Sequence, residues 1–312
     1  MSLTNLENRY RWFIEQYQGE VRRNEKLSPY TSFRTGGPAD LFVEITSREE
    51  LAGGIKLAAE ATIPYFVIGG GSNLLVSDEG YRGLIIRNQI MGLGVKNREI
   101  LAGAGESLDQ LVDYATECSL SGLEFGAGIW GTVGGAIYGN AGAFGNQVGS
   151  VLKYAELVDS SGKIRTEPKD YFAFRYRYSH LKKTKEIVCS ACFELEPKSQ
   201  PEIEKKTTEI RQQRRRSHPT TPCSAGCFFK NIEDPNQPNG KLAAGKLLEE
   251  IGAKETKAGR AAVFEGHANI IINGGGASSK EIRQLADILK QKVKDKFNIE
   301  LQEEVICLGD FH

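Results

Sequence analysis

Three short stretches carry the side chains that could do chemistry. PCSAGCFFKN (222–231) sets a thiol, Cys227, after a small turn and ahead of Phe228, Phe229, Lys230 and Asn231. FRYRYS (174–179) places Arg175 and Arg177 among tyrosines, and LQEEVICLG (301–309) brings the adjacent carboxylates Glu303 and Glu304. An arginine, a proton-bearing side chain and a carboxylate are what is needed to protonate a carbanion next to a carboxylate: the guanidinium binds the anion and the acid supplies the proton. Two glycine-dense segments, VIGGGSNLLVSD (67–78) and GLEFGAGIWGTVGGAIYGNAGAFG (122–145), offer a bed for a phosphate-bearing cofactor. Glycine suits that task because its backbone can approach a ligand closely.

Composition bounds what these groups can serve. The chain has 312 residues, enough for two or three domains, and 40% apolar residues supply a core. Its formal net charge is zero, so it is expected to bind neither nucleic acid nor an anionic membrane nonspecifically. No run of 18 apolar residues is present, and MSLTNLENRYRW at the N-terminus lacks an apolar signal core. The expected location is the cytoplasm, where the six cysteines are reduced thiols. Cys189 and Cys192 read C-x-x-C, but inside the apolar run IVCSACFEL (187–195), where packing is expected rather than redox or zinc chemistry. Cys223 and Cys227 lack a second pair at matching spacing, and His218 is not at a usual ligand offset, so no metal is expected.

The elements that must position the reactive groups follow from local patterns. A short helix is read in the first 20 residues and a strand in LFVEI (41–45). Ser47 with Glu50 is a capping-box signature that opens a helix to about Ala61. YFVIG (65–69) reads as a buried strand feeding the Gly69–Gly71 turn, and the strand–helix–strand order implies a βαβ unit. GLIIR (83–87) and REILAGAG (98–105) add strands, and Ser107 with Gln110 caps a further helix. Residues 151–166 form a hairpin turning at Ser160–Gly162, and a charged helix runs from about Glu202 to Arg216. Residues 243–252 read as a short helix and NIIIN (269–273) as a strand. SSKEIRQLADILKQKVKDKF (278–297) reads as a long amphipathic helix with its own capping box at Ser278 and Glu281, and the last dozen residues return as a strand. EDPNQPNG (233–240) is an exposed loop. The sum is an α+β protein.

Each glycine cluster has a structural and a ligand-binding reading. GGGSN (69–73) follows an apolar strand. Its consecutive N–H groups from Gly69, Gly70, Gly71 and Ser72 could form an anion nest with the Asn73 amide, or it is only a tight turn. The 122–145 segment holds nine glycines in 24 residues with few charges. Cofactor contact is favoured there, through Gly128, Gly131, Thr132, Gly134, Gly135 and Ala136. GGG (274–276) reads as a turn. RQQRRRSHP (211–219) is a solvated helix face or a docking site for a diphosphate. In FRYRYS, an extended strand would put Arg175, Arg177 and Ser179 on one face and Tyr176 and Tyr178 on the other.

Taken together, these motifs resemble those of the MurB family, the UDP-N-acetylenolpyruvoylglucosamine reductases. The resemblance runs from YTSFRTGGPADLFVE (30–44) to LQEEVICLG, with four motifs in the family's order and spacing. The length and the lack of an extra tyrosine-bearing loop are similar to the shorter, type II branch. The resemblance implies a two-lobed FAD-binding region of the vanillyl-alcohol-oxidase (PCMH) type plus a smaller α+β substrate domain. Lobe 1 would span 1–87, with 301–312 returning to it, lobe 2 would span 88–197, and the substrate domain 198–300. It further implies that NADPH reduces the flavin and that hydride then passes from flavin N5 to C3 of UDP-N-acetylglucosamine enolpyruvate. Arg177 would bind the substrate carboxylate and stabilise the enolate, Glu304 would polarise that carboxylate, and Cys227 would protonate C2. Tyr176, Lys230 and Asn231 would contact substrate. One of Arg211, Arg214, Arg215 and Arg216 would help hold the diphosphate.

Three departures from the family pattern stand out: Cys227 where most members have serine, Trp130 where proline is more usual, and Ile232 where proline usually follows FKN. A thiol, with a pKa of about 8.5, is a stronger acid than an alcohol, so the proton donor is retained. Two other readings stay open at this level. A flavin oxidase of the same fold would keep its colour on denaturation if it bound flavin covalently, and a catalytically dead nucleotide-sugar binder would be colourless.

Overall fold

A computed structural model of the chain describes residues 5–237 and 240–311. Residues 1–4 of the N-terminal stretch, 238–239 of the polar loop, and His312 lie outside the described residues. Two compact units form, each from discontinuous chain. The first comprises Met1–Glu25, Ala39–Gly70 and Arg82–Gln212, and the second Lys26–Pro38, Gly71–Tyr81 and Gln213–His312. Both mix helices with sheets, the expected α+β class.

In the first unit, helices α1 (Leu6–Gln16) and α2 (Arg48–Glu60) accompany a four-stranded sheet. The strand order is Arg22–Lys26, Pro38–Ile45, Tyr81–Asn88, Tyr65–Ile68. Tyr10 and Phe13 of α1 and Leu51, Ile55 and Ala58 of α2, spaced three or four apart, join Leu41, Val43, Leu84 and Ile86 in one core. Ser47 caps α2 as expected, its Oγ accepting from Glu50 N at 3.1 Å. The reciprocal half is displaced by one residue, because the Glu50 carboxylate accepts from Thr46 N at 2.7 Å. Tyr65–Ile68 pairs in parallel with Leu84–Arg87. It was expected to be buried, but only Ile68 is, because the strand ends the sheet and has one neighbour.

Helix α3 (Leu108–Glu117), capped by Ser107, and helix α4 (Val133–Gly139), capped by Thr132, lie over a five-stranded antiparallel sheet. Its strand order is Ile164–Pro168, Leu152–Val158, Ile187–Glu194, Glu99–Gly103, Leu93–Lys96. Leu111, Val112, Val133 and Ile137 pack with Ile100, Leu157, Ala191 and Phe193. Cys189 sits where the central strand's register shifts against Leu152–Val158, and it packs with Val158 and Ile187. Burial pushes the Cys189 thiol up to about 12, as suits a packing residue.

FRYRYS is not an extended strand. Arg175 and Tyr178 exchange both backbone hydrogen bonds at 3.1 Å, so Tyr176 and Arg177 form a two-residue turn, and Arg177 takes φ 51°. Two factors override the alternating pattern: Ala173 just upstream is also left-handed, and Ser179 Oγ donates to Tyr138 O at 2.7 Å. A left-handed arginine costs on the order of 1–2 kcal/mol. The unit continues into helix α5 (Gln200–Ser217).

In the second unit, Leu74–Val76 pairs in parallel with Ile306–Leu308, so the last residues do return as a strand. A three-stranded sheet runs Lys257–Ala258, Ala261–Val263, Ile271–Asn273. The expected strand at 269–273 begins only at Ile271, because Asn269 and Ile270 turn away to bond the Cys227–Phe229 segment. Helices α6 (Ala244–Glu250) and α7 (Ser279–Phe297) cover a core that includes Phe228, Phe229, Leu247, Ile282, Leu285 and Leu289. The α7 capping box is complete, with Glu281 N donating to Ser278 Oγ at 3.1 Å and Ser278 N to Glu281 Oε2 at 2.8 Å. Asp78 accepts from Ser279 N and Lys280 N, both at 2.9 Å, so the first-turn donors of α7 are met by side chains. Gly274–Gly276 is a turn, with Asn273 Oδ1 accepting from Gly275 N at 3.0 Å and Ala277 N at 2.9 Å.

Two glycines separate space from conformation. Gly53, exposed within α2, has nothing within 4 Å of an added Cβ, whereas a Cβ on Gly80 (φ +81) would lie 1.8 Å from Pro38 O. Gly53→Ala should raise stability by about 0.5–1 kcal/mol, and Gly80→Ala should lower it by more than about 2 kcal/mol, read as urea midpoints at unchanged slope. The His218 and His267 rings lie 5.9 Å apart. Burial, then the Arg214 and His267 charges, hold His218 down to about 4 from its ordinary 6.5. Its contribution to stability is therefore complete above pH 6.5 and lost as pH falls towards 4. The melting temperature should drop across that window, and His218→Gln should flatten the drop.

Candidate active site

The Cys227 segment is held from two sides within the second unit. On one side Asn269 docks it: Phe228 N donates to Asn269 O at 2.7 Å, and Phe229 N donates to Asn269 Oδ1 at 3.0 Å. Asn269 Nδ2 returns a bond to Phe229 O at 2.7 Å, so this side chain pairs with a peptide as a neighbouring strand would. On the other side the C-terminal segment pairs with it. Lys230 N donates to Gln302 O and Glu304 N to Phe228 O, both at 2.8 Å. Phe228 and Phe229 are buried in the core, which leaves Cys227 half-buried at the edge of the clamp.

Glu304 is thereby brought onto the same backbone frame as Cys227. Its neighbour Glu303 faces α7, accepting from Arg283 Nη1 at 2.8 Å and Lys290 Nζ at 3.0 Å. Burial alone pushes the Glu303 carboxyl up, but Lys290 and Arg283 outweigh it and hold the group below the usual carboxylate range. Asn73 joins the frame, with Nδ2 donating to Glu304 O at 3.1 Å and its own carbonyl accepting from Ile306 N at 3.0 Å. Asn231 Oδ1 accepts from Ala244 N at 3.2 Å, at the start of α6. Lys230 is half-buried.

Arg177 belongs to the first unit. Its Nη1 donates to Gly142 O at 3.0 Å, and its guanidinium carbon sits 5.5 Å from the centre of the Tyr176 ring. Gly142–Ala143 and Asn146–Gln147 form a hairpin. Arg211 is taken up by α3, its Nη2 lying 2.8 Å from Asp109 and 2.6 Å from Asp113, whereas Arg215 and Arg216 are exposed.

The glycine segments meet in the first unit. A Cβ on Gly69 would lie 2.3 Å from Thr132 Oγ1, and one on Gly70 would lie 3.2 Å from Gly131 Cα. Gly71, in the second unit, has φ +59, and its Cβ would lie 1.9 Å from Tyr30 O. The half-buried Ser72 follows it. Several N–H groups of the 122–145 segment have protein acceptors. Gly128 N donates to Asp109 Oδ1 at 2.7 Å, Gly134 N to Ala104 O at 2.9 Å, Gly135 N to Thr132 Oγ1 at 3.4 Å, and Ala136 N to Thr132 O at 2.8 Å. These positions offer a ligand a floor bare of side chains more than a set of N–H donors. Glu124, the single acidic residue of 122–145, turns its carboxylate to Ser121 Oγ at 2.5 Å and Gly122 N at 2.9 Å. A surface of bare peptide whose one carboxylate is occupied fits a large anionic dinucleotide such as FAD.

Two buried side chains that set this geometry escaped the motif reading: Asn269 and Asn140. An asparagine between a histidine and an apolar run, or at the end of a glycine-rich helix, is a local hint. Which peptide it pairs with depends on contacts distant in sequence.

The family model for the C-terminal domain of UDP-N-acetylenolpyruvoylglucosamine reductase matches residues 218–308, and that for an FAD binding domain matches 39–167. The reductase of Clostridium novyi is 37% identical over 292 residues, covering 93% of each chain. That of Caldanaerobacter subterraneus subsp. tengcongensis is 37% identical over 294 residues, covering 94% of this chain and 95% of its own. The crystal structure of the Thermus caldophilus reductase aligns with TM-score 0.76 and 32% identity, covering 93% of this chain and 98% of its own. The FAD-binding region is thus of the vanillyl-alcohol-oxidase (PCMH) type. The chain belongs to the UDP-N-acetylenolpyruvoylglucosamine reductase family and is an FAD-dependent oxidoreductase.

Proposed function

We propose that the protein reduces UDP-N-acetylglucosamine enolpyruvate to UDP-N-acetylmuramate at the expense of NADPH, in the cytoplasm, as a step of peptidoglycan precursor synthesis. The observation that carries this reading is the likeness, over more than nine-tenths of both chains, to relatives named for that reaction. No helix among the described residues is long and apolar enough to cross a membrane. The domain division proposed with this reading is an FAD region of two lobes (1–87 with 301–312, and 88–197) and a substrate domain at 198–300.

FAD, when bound, supplies the redox step, taking hydride from NADPH and passing it from N5 to C3 of the enolpyruvyl group. The bare floor at Gly69, Gly70, Gly131 and Thr132, continued by Gly71, Ser72, Asn73, Gly128, Gly134, Gly135 and Ala136, would hold it. The residues then handle charge and a proton. Arg177 pairs with the substrate carboxylate and stabilises the negative charge that spreads from C2 when C3 gains hydride. Glu304, protonated, donates a hydrogen bond to the same carboxylate, and Cys227 transfers its thiol proton to C2. Tyr176, Lys230 and Asn231 orient the sugar nucleotide, and Arg214, Arg215 or Arg216 holds its diphosphate.

Anaerobic stopped-flow separates these roles. NADPH should bleach the flavin band of wild-type protein, and substrate should restore it. Arg177→Ala and Glu304→Ala should leave bleaching intact and slow the return by about 100–1000-fold. Cys227→Ala should slow it comparably and Cys227→Ser least. A return that needs oxygen, or equal loss of both phases in every variant, contradicts the assignment.

A further inference from the structure

We propose that Asn140 is a positioning residue for Arg177: one buried amide ties the turn that bears the arginine to the hairpin that holds its guanidinium. The inference rests on the assignment of Arg177 to the substrate carboxylate.

Arg177 occupies a left-handed conformation uncommon for a residue with a Cβ, and such states persist only where their surroundings over-determine them. Asn140 supplies the determination. It is 1% exposed and ends α4 with φ 46° and ψ 60°. Its Nδ2 donates to Arg175 O at 2.8 Å, within the Arg175–Tyr178 turn, and to Gln147 Oε1 at 3.0 Å, within the hairpin. Its Oδ1 accepts from Gly149 N at 2.9 Å. Both amide hydrogens and the carbonyl are therefore engaged. The hairpin gripped through Gln147 is the one whose Gly142 carbonyl accepts from Arg177 Nη1 at 3.0 Å.

Arg177 is thus located at both ends, its backbone through Arg175 and its guanidinium through Gly142, with Asn140 spanning the two. Lys182 Nζ, donating to Arg177 O at 2.8 Å, closes the turn from the other side. The arrangement also links two motifs that are far apart in sequence, the end of the glycine-rich segment and the arginine–tyrosine repeat. Glycine in place of Asn140 keeps the left-handed cap accessible and deletes the amide. Aspartate keeps the shape and the acceptor for Gly149 N but sets an oxygen against Arg175 O.

The test uses FAD-loaded Asn140→Gly and Asn140→Asp, each alone and combined with Arg177→Ala. Flavin content and the rate of flavin reduction by NADPH should match wild type. The oxidised protein should bind UDP-N-acetylglucosamine enolpyruvate at least about tenfold more weakly by calorimetry, and flavin reoxidation by that substrate should slow at least about tenfold. In the Arg177→Ala background the same Asn140 changes should cost less than about twofold. Equal losses in both backgrounds, loss of flavin reduction in parallel, or no loss at all would overturn the proposal. Failure of the underlying assignment looks different, since Arg177→Ala alone would then leave substrate binding and reoxidation unchanged. In that event the Nε–H resonance of Arg177 in arginine-labelled protein, identified by its absence from Arg177→Ala, still decides. It should move in both Asn140 variants, and an unmoved resonance rules out positioning.

Discussion

The peptide of Phe228 fixes the chemistry of the second unit. Its N–H is given to Asn269 O and its carbonyl accepts from Glu304 N, so two segments distant in sequence are registered against the residue that follows Cys227. A buried peptide must have its polar groups paired. Because Phe228 and Phe229 are fully buried, any slip of the thiol-bearing segment would leave an amide or carbonyl without a partner in the core. The backbone around the thiol and the backbone of Glu304 are therefore held in one register.

Glu303 and Glu304 show how this frame divides labour between neighbours. One carboxylate is committed to Arg283 and Lys290 on α7 and anchors the segment. The other joins the frame through its backbone, Glu304 N donating to Phe228 O at 2.8 Å and Glu304 O accepting from Asn73 Nδ2 at 3.1 Å.

Glycine serves two purposes in this chain. At Gly69 it leaves room for the Thr132 side chain, and at Gly70 it lets the backbone lie close against Gly131. Along 128–136 much of the N–H inventory already has protein acceptors. The segment is lean in side chains and in charge, and its flanking acid, Glu124, is bonded to Ser121 Oγ and Gly122 N.

Much of this was legible before any coordinates. The capping box at Ser278, the N-cap at Ser107, the amphipathic stripe of α7, the hairpin at 152–168 and the packing role of Cys189 follow from local chemistry, since each depends on residues at most a few positions apart. The motif residues Arg177, Cys227 and Glu304 could likewise be picked out by type and resemblance. Tertiary structure alone decided that FRYRYS bends into a turn with a left-handed arginine and that the 269–273 run gives up its first two residues to the Cys227 segment. In each case a long-range hydrogen bond or a packed neighbour outweighs a preference of a kcal/mol or so written in the local sequence. The asparagines at 140 and 269 were invisible for the same reason: an amide has no periodicity to read, and its role exists only once the peptide it pairs with has been folded against it.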